Sequence, residues 1–263
     1  MKKKSLINLK DKIYVAGHKG MVGSAILRLL KKNKFENILN NNKLELNLLN
    51  AQDVDKWFCK NKPDIVILAA AKVGGILAND NYPVNFLLEN LKIQNNVIES
   101  AWKSGTRRLL FLGSSCIYPR LAKQPIKEEY LNCGELEKTN EWYATAKISG
   151  IKLCEAYKKQ YNFDSICLMP TNLYGPGDNY HSKNSHVIPS LIKRFYDAKT
   201  TNKSEVICWG SGNPKREFLH VEDLAEASIF TLRYWNPKLE NEIPSNNVSS
   251  QLHINVGTGK DLT

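Results

Sequence analysis

Short apolar runs alternate with segments of helical spacing through the first two thirds of the chain. The runs at residues 12–16, 64–71, 107–113 and 165–169 have the length and composition of buried strands. Between them, residues 24–32, 84–104 and 143–161 place apolar side chains at intervals of three and four, as helices do. Strands that alternate with helices usually pair in parallel. The pattern therefore predicts an α/β fold with a Rossmann-type doubly wound sheet.

The first strand leads directly into a glycine-rich turn and then into a helix. The turn reads Gly17-His18-Lys19-Gly20-Met21-Val22-Gly23. We expect Gly17 to allow the tight turn, Gly20 the approach of a pyrophosphate, and Gly23 close packing of helix on strand. An ordinary strand–helix turn could use glycine for its backbone freedom alone. Because strand and helix are both in place, we favour a dinucleotide site.

The end of the second strand indicates which dinucleotide binds. An NAD site usually carries Asp or Glu there for the ribose hydroxyls, but residues 38–43 contain no acid and end at Lys43. Lys19 lies within the glycine turn. Two cations and no acid suit a 2′-phosphate, so the sequence predicts NADP. The alternative is two solvated lysines in a lysine-rich chain.

Tyr143 and Lys147 are four residues apart in a helical segment, so both side chains share one face. An ammonium beside a phenol should lower the pKa of Tyr143 from about 10 toward neutrality, where it can transfer protons. Ser114 and Cys116 follow the fourth strand, at the sheet edge where ligands bind. A hydroxyl there could hydrogen-bond a substrate oxygen near the phenol. Taken alone, these residues also fit an exposed helix face and a strand-ending turn.

Composition and charge narrow the class of protein. The 263 residues are 42% hydrophobic and 24% charged, as in soluble globular proteins, and no apolar run approaches the about 20 residues of a membrane span. The net charge of +11 is spread along the chain. Without a nucleic-acid-binding motif, it suits an anionic small substrate at least as well as a nucleic acid. Six cysteines without CxxC spacing argue against disulfide and zinc frameworks, so we expect no metal and a reducing cytoplasm.

Together, the glycine motif, Ser114 and Tyr143-x-x-x-Lys147 resemble the extended short-chain dehydrogenase/reductase superfamily. Nearly the whole chain from Lys12 onward resembles more closely the GDP-L-fucose synthase family within it, through blocks at 69–75, 112–119, 169–176, 184–189 and 209–212. The resemblance implies an NADPH-dependent enzyme. Its expected activity is to epimerise GDP-4-keto-6-deoxy-D-mannose at C3 and C5 and to reduce it at C4.

The resemblance also implies residue roles. Cys116 and His186 match the acid/base pair of the epimerisation, and Tyr143 matches the proton donor of the reduction, supported by Lys147 and Ser114. The positions that match nucleotide-sugar contacts are Arg194, Trp209 and Arg216. The positions expected to bind the cofactor are Gly17, His18, Lys19, Gly20, Met21, Val22, Gly23, Lys43, Leu48, Leu112, Gly113, Ser114, Ser115, Lys147, Pro170, Thr171, Asn172, Leu173 and His186.

The expected organisation has two parts. Residues 1–175 form the NADP-binding Rossmann domain, to which 217–235 return. Residues 176–216 and 236–263, including a strand at 252–256, form a substrate-binding portion that is short at its C-terminus compared with the family. Residues 72–75 form a flexible turn beside the cofactor site. The family also implies a homodimer through helices 84–104 and 143–161. The alternatives are another sugar-nucleotide epimerase/reductase of this superfamily, or an inactive, truncated dinucleotide-binding remnant.

Overall fold

The computed structural model describes residues 4–181, 185–208, 210–237 and 252–263. The strands in these residues are β1 (Lys12–Ala16), β2 (Asn37–Leu39), β3 (Ile65–Leu68), β4 (Arg108–Leu112), β5 (Asp164–Pro170), β6 (Asn172–Tyr174), β7 (Arg216–His220), β8 (His253–Val256) and β9 (Asp261–Leu262). The α-helices are α1 (Met21–Lys32), α2 (Ala51–Asn61), α3 (Ile76–Asn81), α4 (Asn90–Lys103), α5 (Glu141–Tyr161), α6 (Val187–Thr200) and α7 (Val221–Tyr234). No helix in this part of the chain combines the length and the hydrophobicity that a membrane crossing needs.

The main sheet has six parallel strands in the order β2-β1-β3-β4-β5-β8, which confirms the predicted doubly wound fold. The chain leaves β1 for β2 on one side and then crosses to β3 on the other. Ala16 pairs with Leu68, and Leu68 pairs with Phe111, so these strands end at one edge. In such sheets ligands bind beyond this edge, at the point where the strand order reverses. Here that point lies between β1 and β3.

Two apolar layers hold the sheet between its helices. In β1, Tyr14 and Ala16 pack into one layer, and Ile13 and Val15 into the other. The first layer includes residues of α2, α4 and α5, and the second includes residues of α1 and α7. Strands buried on both faces do not alternate between apolar and polar residues. That is why they are visible in the sequence as continuous apolar runs.

The prediction for residues 252–256 is wrong. They were expected in the substrate-binding portion, but β8 extends the main sheet beside β5, with His253 opposite Cys167. The run is too short to indicate its partner strand, because pairing across a sheet is decided by tertiary packing. The segment at 217–235 carries α7, which packs on α1, and an ion pair joins Arg28 to Glu222.

A smaller sheet has the order β6-β7-β9. Because β6 starts two residues after β5 ends, this sheet begins at the C-terminal edge of the main one. In β7, the Glu217 carboxylate accepts hydrogen bonds from the Gly259 backbone N–H at 2.6 Å and the Thr258 hydroxyl at 3.2 Å. These bonds hold the turn before β9 against β7.

Candidate active site

The glycine turn lies at the point where the strand order reverses. Gly17 follows β1 with φ +87°, and a Cβ added to it would lie 2.7 Å from the Ala70 backbone nitrogen. A Cβ on Gly23 would lie 2.2 Å from the Gly17 carbonyl oxygen. Gly20 is the N-cap of α1, and no side chain caps the helix or places an acid in its first turn. The backbone N–H groups at this end of α1 are therefore available to a phosphate.

The turn after β2 faces the glycine turn. Lys19 and Lys43 are both exposed. Partial burial and the Lys19 charge lower the pKa of His18, whereas the Glu45 carboxylate raises it, so Glu45 lies near the glycine turn. The search for an acid in the sequence stopped at residue 43 and missed Glu45. Leu48 packs half-buried against the core. Lys19 lies in the glycine turn and Lys43 in the turn after β2, on the two sides of the position where a fold of this type binds an adenosine ribose.

Lys147 joins α5 to the end of β4. Its side chain is 3% exposed, and its ammonium donates a hydrogen bond to the Leu112 carbonyl oxygen at 2.8 Å. The Lys147 nitrogen lies 4.8 Å from the centre of the Phe111 ring and 5.7 Å from that of Tyr143. Burial lowers the pKa of Lys147 to about 8. The ammonium is thus charged at neutral pH and has further N–H donors for a bound molecule.

The pKa of Tyr143 differs from the prediction. Desolvation raises the pKa of its phenol, and the nearby Cys116 thiol raises it further, so the predicted lowering is wrong. The physical reason is that Lys147 directs its ammonium to the Leu112 carbonyl, while packing removes water from the phenol. A phenol with a raised pKa is protonated at neutral pH. It is therefore equipped to donate a proton.

Ser114 and Cys116 lie immediately beyond β4. The Ser114 hydroxyl caps a 3₁₀ helix, Ser115–Ile117, by accepting a hydrogen bond from the Cys116 backbone N–H at 3.4 Å. Burial raises the pKa of the Cys116 thiol to about 11, opposed by a hydrogen bond to Ser114 and by the Lys147 charge. These interactions bring Ser114, Cys116, Tyr143 and Lys147 together at one edge of the sheet. They were predicted from separate stretches of sequence.

The remaining predicted residues are less tightly gathered. His186 is the N-cap residue of α6, and partial desolvation lowers its pKa while the Asp178 carboxylate opposes the shift. Its contacts recorded among the described residues do not extend to Cys116. Arg194 donates a hydrogen bond to the Ile207 carbonyl at 3.0 Å, and Arg216 is exposed at the start of β7. Trp209 lies outside the described residues.

Buried asparagines that sequence reasoning missed hold the turn at residues 72–75. Asn90 accepts a hydrogen bond from the Lys72 N–H at 2.9 Å and donates to the Lys72 carbonyl at 3.0 Å. Asn79 donates to the Gly74 and Gly75 carbonyls at 2.9 and 3.1 Å. The turn predicted to be flexible is therefore held from both sides. An asparagine within a helical apolar pattern, such as Asn90, is the one signal that could have indicated this clamp.

These residues fit NADP. Gly17 and Gly23 leave no room for a Cβ against the neighbouring backbone, so the turn stays tight, and the uncapped start of α1 offers donors to a pyrophosphate. At the other end of the site, the Thr171 hydroxyl is buried without a hydrogen-bond partner in the described residues. It is the single residue between the end of β5 at Pro170 and the start of β6 at Asn172. Beneath it β4 and β5 pair directly, with Leu112 opposite Leu168.

Known proteins are similar to this chain in sequence. A sequence model of the NAD dependent epimerase/dehydratase family matches residues 13–249. GDP-L-fucose synthase 1 of Arabidopsis thaliana is 52% identical over 260 residues, which cover 98% of this chain and 76% of that protein. GDP-L-fucose synthase of Escherichia coli strain K12 is 52% identical over 255 residues, which cover 97% of this chain and 78% of that protein.

Solved structures are similar to this chain in fold. A GDP-6-OMe-4-keto-L-xylo-heptose reductase from C. jejuni superposes with a TM-score of 0.87 at 35% identity, covering 97% of this chain and 80% of that one. A GDP-L-fucose synthetase from Naegleria fowleri bound to NADP superposes with a TM-score of 0.85 at 27% identity, covering 98% of this chain and 80% of that one. The chain therefore belongs to the NAD dependent epimerase/dehydratase family, as predicted from its resemblance to the extended short-chain dehydrogenases/reductases, and within it groups with the GDP-L-fucose synthases.

Proposed function

We propose that the chain converts GDP-4-keto-6-deoxy-D-mannose to GDP-L-fucose, by epimerisation at C3 and C5 and NADPH-dependent reduction at C4. The observation that carries this proposal is the gathering of Ser114, Cys116, Tyr143 and Lys147 beside the uncapped glycine turn. Relatives with about half of their residues identical are GDP-L-fucose synthases. The substrate and the cofactor of this reaction are the ones that the sequence predicts.

The epimerisation needs one group that removes a proton and another that returns one. The 4-keto group acidifies the C–H bonds at C3 and C5, so a base can take a proton and leave an enolate. An acid then protonates the opposite face and inverts the centre. We assign this exchange to Cys116 and His186. The thiol is protonated at neutral pH and the imidazole is mostly neutral, so the pair holds one proton to give and one site to take another.

The reduction needs a proton at the C4 oxygen. NADPH, when bound, supplies the hydride to C4. Tyr143 donates its phenolic proton to the oxygen, and the Ser114 hydroxyl donates a hydrogen bond to the same atom. Lys147 holds a positive charge behind the phenol and offers its remaining N–H donors to the nicotinamide ribose. The Leu112 carbonyl keeps the ammonium in this place.

We assign the cofactor preference to Lys19 and Lys43. Replacing both with alanine should weaken NADPH binding about tenfold and leave NADH binding almost unchanged, because NADH lacks the 2′-phosphate that they would contact. Fluorescence titration with each nucleotide measures this. Lys31→Ala, an exposed lysine at the far end of α1, is the control. An equal loss for both nucleotides would refute the assignment.

The substrate-binding portion and the partner complete the proposal. We assign the GDP diphosphate to Arg194 and Arg216 together with Trp209, because a guanidinium can bind two phosphate oxygens at once. We infer a homodimer through the Val84–Ser104 stretch and α5, where a groove lined by Leu91, Leu153 and Ala156 runs between the helices. A monomeric mass by light scattering at micromolar concentration would contradict it. The six free cysteines, all among the described residues, support a reducing cytoplasm.

Turnover tests the function directly. Purified chain mixed with NADPH and GDP-4-keto-6-deoxymannose should lose the absorbance of reduced nicotinamide and form GDP-L-fucose, identified by the NMR couplings of its ring protons. A product reduced at C4 without inversion at C3 and C5 would indicate a different sugar-nucleotide reductase. NADPH binding with no oxidation would support the inactive remnant.

A further inference from the structure

One turn of π-helix, Asn85–Glu89, precedes α4 beside the site. Such turns interrupt α-helical hydrogen bonding and occur frequently at functional sites. Phe86 lies in this turn and is 1% exposed. Its ring meets the Tyr143 ring edge to face, with centres 6.4 Å apart and planes at 80°. The π-turn thus sets an aromatic ring against the residue that donates the proton.

Two further contacts hold the Phe86 ring. A Cβ added to Gly74 would lie 3.0 Å from the Phe86 Cζ atom, so this glycine leaves room for the ring and little more. Asn90, immediately after the π-turn, donates hydrogen bonds from its side-chain amide to the Phe86 carbonyl at 2.7 Å and the Lys72 carbonyl at 3.0 Å. One buried amide therefore ties the backbone of Phe86 to the turn after β3.

We propose that Phe86 is a positioning residue for the Tyr143 phenol. The π-turn, Gly74 and Asn90 hold the Phe86 ring against the tyrosine ring. The titratable groups near the phenol are Cys116 and Lys147, and Phe86 adds neither a charge nor a hydrogen bond to them. Its effect is to restrict the ring and exclude water. A small displacement of the proton donor lowers the reaction rate steeply, because proton transfer depends on the alignment of donor and acceptor. The inference rests on the proposed role of Tyr143.

Phe86→Leu is expected to lower kcat about tenfold while the Kd for NADPH changes less than about twofold. A second readout does not need turnover. In protein labelled with ¹³Cε-tyrosine, the Tyr143 signal, assigned by its loss in Tyr143→Phe, should show a faster ring flip in Phe86→Leu than in the parent chain. Removing the Phe86 ring removes the contact that restricts the tyrosine ring.

Phe163→Leu is the matched control. Phe163 is 5% exposed and packs edge to face on Tyr157, with ring centres 6.2 Å apart and planes at 76°. The Phe163→Leu substitution removes a comparable pair of aromatic rings at a tyrosine with no proposed role. The inference is overturned if Phe86→Leu lowers kcat no more than Phe163→Leu, or if the flip rate of the Tyr143 ring does not rise.

Gly74→Ala provides a second route, should Phe86→Leu fail to fold. It keeps the Phe86 ring, but the added Cβ would lie 3.0 Å from both the ring and the Ala78 Cβ, so one or both must shift by a few tenths of an ångström. A lower kcat with unchanged NADPH affinity supports positioning, and an unchanged kcat refutes it. If the parent chain shows no turnover, the proposed function fails, and the flip rate of the Tyr143 ring in Phe86→Leu still decides whether Phe86 restricts that ring.

Discussion

Tyr143→Phe is expected to lower kcat about 10³-fold, because it removes the group that protonates the C4 oxygen and leaves the ring in place. Desolvation raises the pKa of this phenol, so it carries its proton throughout the neutral range. The edge-to-face contact with Phe86 needs only the ring and survives the change. Single-turnover oxidation of NADPH measures the loss, and the Kd for NADPH should change less than about threefold.

Tyr161→Phe is the control for Tyr143→Phe. Tyr161 lies at the other end of α5 and is 47% exposed. Removing its hydroxyl should leave kcat unchanged. A Tyr143→Phe variant that retains more than about a tenth of the parent kcat would show that another group protonates the oxygen. Equal losses of kcat and NADPH affinity would show a structural defect instead.

The pH dependence of the same reaction follows from Lys147. Burial lowers the pKa of its ammonium from 10.5 to about 8, so the charge behind the phenol is present below that pH and lost above it. We expect kcat to fall as pH rises through about 8. Because the unfolded chain binds this proton up to its higher pKa, the free energy of unfolding should rise with pH between about 8 and 10.5. Denaturant titrations of the parent and Lys147→Met test the sign.

Local sequence patterns carried much of the fold and part of the site. Continuous apolar runs reveal buried strands, and the strand–glycine–helix order reveals the turn around Gly17 and Gly23, since no other residue fits those contacts. The four-residue spacing of Tyr143 and Lys147 was sufficient to place them on one helix face. It was insufficient for the pKa of Tyr143. That pKa depends on burial and on Cys116, while the Lys147 ammonium is directed to the Leu112 carbonyl at the end of β4.

The features that the sequence did not reveal depend on long-range contacts. β8 pairs with β5, a strand far away in the sequence, with His253 opposite Cys167. The Asn90 clamp joins residues 18 positions apart through one side chain. Glu45 lies beyond the stretch where an acid was sought, yet the fold brings it near His18. In each case the local pattern is compatible with several partners, and packing selects one.

Cys116→Ser is expected to lower the rate of epimerisation at least about 10²-fold, because a serine hydroxyl is far weaker than a thiol as an acid and its alkoxide is not formed at neutral pH. The measurement is the formation, in heavy water, of the sugar inverted at C3 and C5 from GDP-4-keto-6-deoxymannose. NADPH is left out, so that reduction does not contribute. Affinity for NADPH should stay within about twofold of the parent, since the thiol is assigned to the sugar and not to the cofactor.

His186→Gln, measured beside Cys116→Ser, separates the two roles. The variant that lacks the base should lose all deuterium entry. The variant that lacks the acid should still exchange a proton but form little inverted product, because the base can return deuterium only to the face from which it took the proton. Cys133→Ser, at an exposed thiol whose sulfur donates to the Glu129 carbonyl, should match the parent. Equal loss of inverted product and of NADPH binding in Cys116→Ser would mean that this thiol supports the fold of the site and does not transfer the proton.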